Sequence, residues 1–331
     1  MTQNVALSQI SQKNLGMELV RATEAAALAS GRYMGRGDKE EAHRSAATAM
    51  AQALGTVTMD AVVRLAVGGG DRDDPLSQGR QFGHGQGPGV DLAAGPIDGI
   101  SLLTRGLPGA ISVIAATERG EMAVPGSAYL EKIAVGARAR GAIDLAGTVE
   151  HNLNRIAFAK EVRVADLTVV VLDRPRHQQL IEEVRQAGAR LSLITDGEVA
   201  AAVMVALEDS GVDVVMGMGG AEDTTIAACA LKCLGGEIVA RPWLRNADEV
   251  EDLRAIGVDP HQVFGIEDLA GGNEVVFTAT GVTDGLLLRG VHYFDHWAET
   301  ESLVMRSQSG TLRRITTKHH FALAGGSRRV R

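Results

Sequence analysis

The sequence predicts an α/β protein made of two halves, residues 1–164 and 165–331. After Val164, short apolar strands alternate with amphipathic helices, a rhythm typical of a largely parallel sheet with helices on both faces. Before Val164, two helices are followed by strands that glycine-rich loops separate. In parallel sheets ligands bind at the carboxyl ends of the strands, so we expect the functional residues there.

Composition narrows the classes of function. The net charge of −8 argues against a nucleic-acid partner and against an anionic membrane surface. The chain has no apolar run close to the ~20 residues that span a bilayer, and its first residues do not resemble a signal peptide. We therefore expect a cytoplasmic protein. In that compartment its two cysteines, Cys229 and Cys233, are expected to be buried thiols.

The first half is predicted to begin with two helices. Apolar residues recur at helical spacing over 14–33, and Asp38 begins a second helix that runs to about Leu54. A strand over 62–67 then leads into the acidic, glycine-rich loop 68–74. This loop lacks the Lys-Ser/Thr ending of a P-loop, and its acidity suits a metal better than a phosphate.

The stretch Val90–Ser101 organises the first half. Val90–Ala94 is predicted to be a buried strand, which Gly95 and Pro96 are expected to break. The following Asp98-Gly99 pair predicts a tight turn at the strand end, a position that can hold a carboxylate in a pocket. Asp-Gly is also a very common turn dipeptide, so a purely structural role is the alternative.

The second half is predicted to contain four strands and three helices. The strands are Leu167–Leu172, Leu191–Ile194, Val212–Met218 and Ile238–Arg241, and the helices are His177–Ala187, Val199–Leu207 and Ala227–Leu234. The carboxyl ends of these strands carry the groups 173–174, 195–198 and 219–223. We expect these three groups to meet in one crevice.

Several sequence blocks resemble those of one enzyme family. The blocks are V-R-A-T-E-A-A-A-L-A at 20–29, G-R-G-D-K at 35–39, Y-L-E-K-I-A-V-G at 129–136, R-P-R-H at 174–177, G-G-A at 219–221, T-A-T-G-V-T at 278–283 and R-R-I at 313–315. They resemble the class II fructose-1,6-bisphosphatase and sedoheptulose-1,7-bisphosphatase family of lithium-sensitive, metal-dependent phosphomonoesterases. The stretch 95–101 is similar to the D-P-[IL]-[DE]-G-[TS] signature of that superfamily, and the resemblance runs from about Leu15 to about His319.

The resemblance implies a layered αβαβα sugar-phosphatase-like fold. Residues 1–164 would form the metal- and phosphate-binding half, and residues 165–331 a Rossmann-like half that binds the substrate. The implied reaction is hydrolysis of a sugar bisphosphate, in which divalent metals neutralise the phosphoryl oxygens and a metal-bound water attacks. We also expect a homo-oligomer.

The implied metal ligands are His43, Asp71, Asp98 and Asp223, and the implied metal is Mg²⁺ or Mn²⁺. His43 stands where the family has an aspartate. Gly69 and Gly95 replace two further family carboxylates, and glycine has no side chain that can ligate a metal. The alternative for His43 is that it is an ordinary surface histidine. The alternative for the acidic loop 68–74 is that its carboxylates are solvated and bind no metal.

The implied catalytic residues are Asp98 and Ser101, because Ile100 replaces the signature threonine and Ser101 follows it. The implied substrate-binding residues are Asp98, Gly99, Ile100, Tyr129, Arg174, Pro175, Arg176, Asp196, Gly197, Glu198 and Gly220. Arginine binds phosphate through a bidentate fork, and carboxylates accept hydrogen bonds from sugar hydroxyls. A Gly-Gly turn exposes backbone N–H groups to a second phosphate.

Three functions fit these observations. The first is an active sugar-bisphosphate phosphatase with a remodelled metal site. The second is a non-catalytic relative that binds a sugar phosphate or a homologous subunit. The third is another chemistry in the same pocket, such as isomerisation.

Overall fold

The computed structural model describes residues 2–68 and 73–321, with side chains from residue 15 onward. The helices are α1 Thr2–Ser30, α2 Lys39–Leu54, α3 Ile100–Arg105, α4 Val149–Lys160, α5 Gln178–Gln186, α6 Glu198–Ala206, α7 Ala221–Cys233, α8 Ala247–Ala255 and α9 Ile266–Leu269. The strands are β1 Asp60–Ala66, β2 Gln81–Phe82, β3 Gly89–Asp98, β4 Ile111–Glu118, β5 Tyr129–Val135, β6 Thr168–Leu172, β7 Arg190–Ile194, β8 Val214–Gly220, β9 Glu237–Pro242, β10 Val276–Gly281, β11 His292–Tyr293, β12 Trp297–Arg306 and β13 Thr311–His320.

The described strands form two sheets. The first sheet has the order β11-β12-β10-β4-β3-β1-β2, and β13 pairs with β12. The second sheet has the order β7-β6-β8-β5-β9. In the second sheet β6 runs parallel to β7 and β8, whereas β5 runs antiparallel to β8 and β9. The largely parallel sheet expected after Val164 is therefore limited to β7, β6 and β8.

Helices and sheets stack as α, β, α, β, α, which confirms the predicted layered fold. Helices α1 and α2 pack on the outer face of the first sheet, and α6 and α7 lie between the two sheets. Helices α4 and α5 cover the outer face of the second sheet around Leu153, Ile181 and Val184. The central layer can lie between two sheets because most of each helix is apolar: α6 buries alanines and valines, and α7 buries alanines, Ile226 and Leu231.

The chain passes between the sheets at two places, and neither is at residue 164. It enters the second sheet between β4 and β5, and it returns to the first sheet between β9 and β10. The boundary predicted at residue 164 falls between β5 and β6, within the stretch that builds the second sheet. Helical and strand periodicity identifies elements, but it does not reveal which sheet each strand joins.

Strand β3 does not break at Gly95 and Pro96, contrary to the sequence-based expectation. It continues to Asp98, and its pairing with β4 shifts register between Gly95 and Asp98. Because Pro96 lies in this irregular stretch, its missing N–H costs no regular ladder bond. The extension places Asp98 at the end of β3, opposite Ile111 of β4, where its carboxylate reaches α6 of the central layer.

Two other expectations concern the burial of the two cysteines and the length of apolar helices. Cys229 and Cys233 are free thiols buried in α7, as predicted. Burial raises the pKa of the Cys229 thiol to about 12. Among the described residues, no helix has the length and apolarity required to cross a membrane.

Candidate active site

A cavity of about 360 Å³ opens where the ends of β3, β6 and β8 meet the start of β5. It is lined by Asp98, Ala128, Tyr129, Leu172, Arg174, Arg176, Asp196, Glu198, Gly220, Glu222 and Asp223. The three strand-end groups expected to share one crevice therefore do so. The cavity also receives Asp98 from the first sheet, so both sheets contribute to it.

Two Asp-Gly turns carry the cavity's acidic wall. Gly99 and Gly197 both adopt left-handed backbone conformations, with φ of 86° and 85°, immediately before α3 and α6. This conformation is readily available only to glycine. Each turn leaves its aspartate, Asp98 or Asp196, at the end of the preceding segment and facing the cavity. The tight turn predicted at Asp98-Gly99 is confirmed.

Asp98, which is buried, and Asp223, which is half-buried, form the floor of the cavity. Asp98 is 4% exposed, and its carboxylate accepts a hydrogen bond from the backbone N–H of Ala200 at 3.1 Å. Burial, reinforced by the nearby Asp223, holds the pKa of Asp98 well above its ordinary value. Burial, followed by the charge of Glu198, raises the pKa of Asp223 to about 7. These carboxyl groups are costly to ionise together, and a bound cation would remove that cost.

Lys132 supplies a positive charge beneath this acidic group. Its side chain is 2% exposed, and its ammonium donates to Glu198 Oε1 at 2.8 Å. The charge of Lys132 opposes the rise in the pKa of Asp223. The Glu198 carboxylate lies against the backbone of Gly219, where an added Cβ would collide with it. Glycine at this position therefore allows Glu198 to reach Lys132.

The arginines form the opposite wall. The Arg176 guanidinium donates two hydrogen bonds to the carbonyl of Met218, at 2.9 and 3.3 Å, and lies 5.3 Å from the centroid of the Tyr129 ring. Trp243 meets the same ring edge-on at 6.1 Å. Arg174 donates to the carbonyl of Thr195 at 2.7 Å. Both guanidiniums line the cavity and donate to backbone carbonyls, and among the described residues neither is paired with a carboxylate.

The structure brings most of the predicted site residues to the cavity wall. Asp98, Tyr129, Arg174, Arg176, Asp196, Glu198, Gly220 and Asp223 all line it. Gly99, Ile100, Ser101, Pro175 and Gly197 lie next to these residues in the chain but do not line the cavity. Ser101 uses its backbone N–H to donate to Asp196 at 3.0 Å, and Lys39 donates to its hydroxyl at 2.8 Å.

One predicted metal ligand, His43, is not among the residues that line this cavity. His43 Nε2 lies 2.7 Å from Asp74 Oδ2, so this imidazole is engaged with the acidic loop rather than with the cavity. The other carboxylate oxygen of Asp74 is also engaged, since it accepts a hydrogen bond from the Leu76 N–H at 2.7 Å. Asp71 and Gly69 lie outside the described residues.

Three observations on the described residues bear on metal binding. Within them, no group of three or more His, Cys, Asp or Glu side chains is arranged to hold a metal ion. Asp223 Oδ1 is nevertheless buried, with no hydrogen-bond partner among these residues. At Gly95, where the resemblance implies a carboxylate, an added Cβ would point at Val113, and Val67 and Ile226 are the next nearest side chains. These neighbours are apolar methyl groups.

Lys132 and Trp243 are site residues that sequence reasoning did not single out. Lys132 could have been found, because it is a charged residue immediately before the apolar run Ile133–Val135 of a buried strand. Trp243 carries no comparable signal. It reaches Tyr129 only because β9 lies beside β5 in the sheet.

The fold and the cavity define a layered α/β protein with a small polar site that combines carboxylates and arginines. The chain belongs to the family described as bacterial fructose-1,6-bisphosphatase, glpX-encoded, whose model matches residues 13–319. It is 39% identical over 320 residues to the fructose-1,6-bisphosphatase class 2 of Haemophilus influenzae, covering 93% of this chain and 96% of that protein. It is 36% identical over 337 residues to the D-fructose 1,6-bisphosphatase class 2/sedoheptulose 1,7-bisphosphatase of Synechococcus elongatus, covering 94% and 97%. The resemblance noted in the sequence is therefore confirmed.

Proposed function

We propose that this protein hydrolyses a phosphate monoester of a sugar bisphosphate such as fructose 1,6-bisphosphate or its seven-carbon counterpart. The observation that supports this most strongly is the composition of the cavity of about 360 Å³, whose wall combines Arg174 and Arg176 with Asp98 and Asp223. A volume of this size is typical of small-molecule sites. The relatives named as fructose-1,6-bisphosphatase and sedoheptulose 1,7-bisphosphatase support the same substrate class.

Each wall has a distinct task in this proposal. Arg174 and Arg176 donate hydrogen bonds from their guanidinium N–H groups to phosphate oxygens. Asp196 and Glu198 accept hydrogen bonds from sugar hydroxyls and so set the orientation of the sugar. The backbone at Gly220, free of a side chain, allows a phosphate to approach the start of α7 closely.

Asp98 and Asp223 are the residues that would hold a divalent cation, Mg²⁺ or Mn²⁺. Two carboxylates, completed by substrate phosphate and water, are a usual protein contribution to a Mg²⁺ site. The cation supplies electrostatic stabilisation of phosphoryl oxygens when it is bound. The partnerless Asp223 Oδ1 and the raised pKa of both acids favour this assignment.

A non-catalytic sugar-phosphate-binding role is the second candidate. It is favoured by Gly95, whose surroundings are the side chains of Val113, Val67 and Ile226 rather than polar groups. In this alternative the arginine wall still binds phosphate, but the site lacks the carboxylates that a multi-metal reaction requires. Assembly as a homo-oligomer and a cytoplasmic location remain predictions under either function.

One experiment separates the two functions. Release of inorganic phosphate is measured with Mg²⁺ and with Mn²⁺ on fructose 1,6-bisphosphate and sedoheptulose 1,7-bisphosphate, and binding of each sugar is measured by calorimetry. Metal-dependent turnover supports the phosphatase. Binding without turnover supports the non-catalytic role, and the absence of both overturns the proposed substrate class. Asp98→Asn is the control variant for metal dependence. It keeps the shape of the side chain and removes the carboxylate that would hold the cation.

A further inference from the structure

Strands β6 and β8 separate before either of them ends. Their parallel pairing comprises Val169 with Val214 and Val170 with Val215. Strand β6 nevertheless runs on to Leu172, and β8 runs on to Gly220. The cavity lies at this separation, since Leu172 and Gly220 both line it.

The imidazole of His177 bridges the gap between the two strands. Its Nδ1 lies 2.7 Å from the carbonyl oxygen of Leu172 in β6. The backbone N–H of Met218 in β8 donates to its Nε2, also at 2.7 Å. The ring thus occupies the place of the direct ladder bonds, and it sets the width of the opening. Gly217 makes room for it, because an added Cβ there would lie 2.8 Å from Nε2.

These two bonds require a neutral ring with one tautomer. A carbonyl oxygen can only accept, so Nδ1 must carry the proton, and Nε2 must then be the acceptor for Met218. Burial lowers the pKa of His177, which favours the neutral form. The charged groups around it are Arg176 beside it, Lys132 in β5 and Glu198 in α6.

Met218 links this bridge to phosphate binding. Its N–H is held by His177, and its carbonyl accepts both hydrogen bonds of the Arg176 guanidinium. Moving Met218 therefore moves the group that orients Arg176. Gly219 and Gly220, which follow Met218 in the same strand, would move with it.

We propose that His177 is a positioning residue that holds β6 and β8 apart at a fixed width and thereby aims Arg176 into the cavity. The inference rests on the proposed function, because it takes a sugar bisphosphate to be the ligand of that arginine. His177 touches no substrate in this arrangement. Its effect reaches the ligand through Met218 and Arg176.

The test compares His177→Gln and His177→Leu with the wild-type protein, and His151→Gln is the matched control. Glutamine offers one donor and one acceptor on a neutral group, whereas leucine fills the space and offers neither. His151 is an exposed histidine of α4 and does not line the cavity. The measurements are calorimetric binding of fructose 1,6-bisphosphate and of inorganic phosphate, KM and kcat, and hydrogen exchange at the Met218 amide.

We expect His177→Leu to weaken binding of both ligands by about tenfold or more, since small displacements of an anchoring group have effects of this size. KM should rise more than kcat falls, and the Met218 amide should exchange at least about tenfold faster because its acceptor is gone. His177→Gln should recover much of the affinity, and His151→Gln should match the wild type. Unchanged affinity in His177→Leu would overturn the inference.

Two further results keep the inference distinct from the proposed function and from misfolding. If the wild type binds neither sugar bisphosphate, the proposed function fails. Inorganic phosphate affinity and Met218 exchange then decide the positioning role alone. If His177→Leu does not fold, ¹⁵N imidazole shifts of the wild type decide it, because a protonated Nε2 in the folded protein contradicts the bridge.

Discussion

Asp98 and Asp196 each accept a hydrogen bond from the helix that follows the other. Asp98 precedes α3 but accepts from Ala200 in α6, and Asp196 precedes α6 but accepts from Ser101 in α3. The two carboxylates thereby satisfy backbone donors in the first turns of facing helices. This exchange ties the end of β3 in the first sheet to the second sheet across the wall of the cavity.

Removing one side of this exchange should loosen the link between the sheets. We expect Asp196→Ala to lower the free energy of unfolding by about 0.5–2 kcal/mol, the usual cost of a lost helix cap. Asp196 also lines the cavity, so sugar binding should weaken at the same time. Urea denaturation measures the first effect, with the exposed Asp209→Ala as control. Equal unfolding midpoints for Asp196→Ala and the wild type would contradict this role.

The stability of the metal-free protein should fall as the pH rises from about 4 to about 7. The pKa of Asp223 is about 7 in the folded protein against an ordinary value of 3.8, so the folded state binds more protons than the unfolded state in this window. Asp98 contributes with the same sign. Urea unfolding at several pH values in EDTA measures the slope.

The variant Asp223→Asn should make this dependence on pH shallower, because it removes one of the two groups that titrate. Exposed Asp209→Asn serves as the control and should leave the slope as it is. An Asp223→Asn protein with the wild-type slope would show that Asp223 is ionised throughout the window.

Phosphate affinity should depend on Arg176. We expect Arg176→Ala to weaken sugar-phosphate binding by about 1.5–3 kcal/mol, the range for losing hydrogen bonds to a charged group. The variant also leaves the Tyr129 ring without the guanidinium beside it. Calorimetric titration is the measurement, and Arg185→Ala, on the exposed face of α5, is the control. An identical isotherm for Arg176→Ala would remove Arg176 from the phosphate site.

A single methyl group at Gly219 should disturb the buried ion pair. Gly219→Ala places a Cβ in the position of the Glu198 carboxylate, so Glu198 must leave Lys132. Breaking a buried pair in this way costs about 3–5 kcal/mol when one charge stays uncompensated. Thermal or urea unfolding tests this expectation. Gly89→Ala, where the added Cβ meets only an ordinary contact at 3.7 Å, should have a much smaller effect.

Restoring the family carboxylates should raise phosphate release only after the apolar pocket around Gly95 has been opened. A Cβ at Gly95 lies 2.6 Å from Val113 Cγ2, so Gly95→Asp alone should destabilise the protein by about 1–3 kcal/mol through overpacking. Adding Val113→Ala should recover stability. Adding Gly69→Glu and Ile100→Thr as well should increase phosphate release with Mg²⁺ or Mn²⁺. Robust turnover of fructose 1,6-bisphosphate by the unaltered protein would show that the missing carboxylates are dispensable.

Local sequence chemistry predicted the parts of the site that depend on local backbone geometry. Asp98-Gly99 was recognisable as a turn because glycine is favoured in the left-handed conformation that the turn requires. The βα rhythm after Val164 likewise predicted which strand ends would meet. The same reasoning failed at Gly95 and Pro96, where a break was expected. The irregular pairing with β4 tolerates both residues inside β3.

The remaining features depend on partners that lie far away in the chain. The role of Lys132 depends on its ion pair with Glu198, and the role of His177 depends on its hydrogen bond with Met218. Neither partner is near in sequence. The environment of Gly95 is likewise set by Val113 on a neighbouring strand and Ile226 on a helix of the central layer. Sequence spacing contains no information on these pairs until the strand order is known.

The route of the chain also constrains how the protein forms during synthesis. All the strands of the second sheet leave the ribosome before β10, β12 and β13, which complete the first sheet. The second sheet can therefore close early, while β4 waits with one edge exposed for a partner that has yet to be made. Such an open edge invites wrong pairing with other nascent chains. The β10-facing edge of β4 stays open throughout the period between the translation of β9 and that of β10.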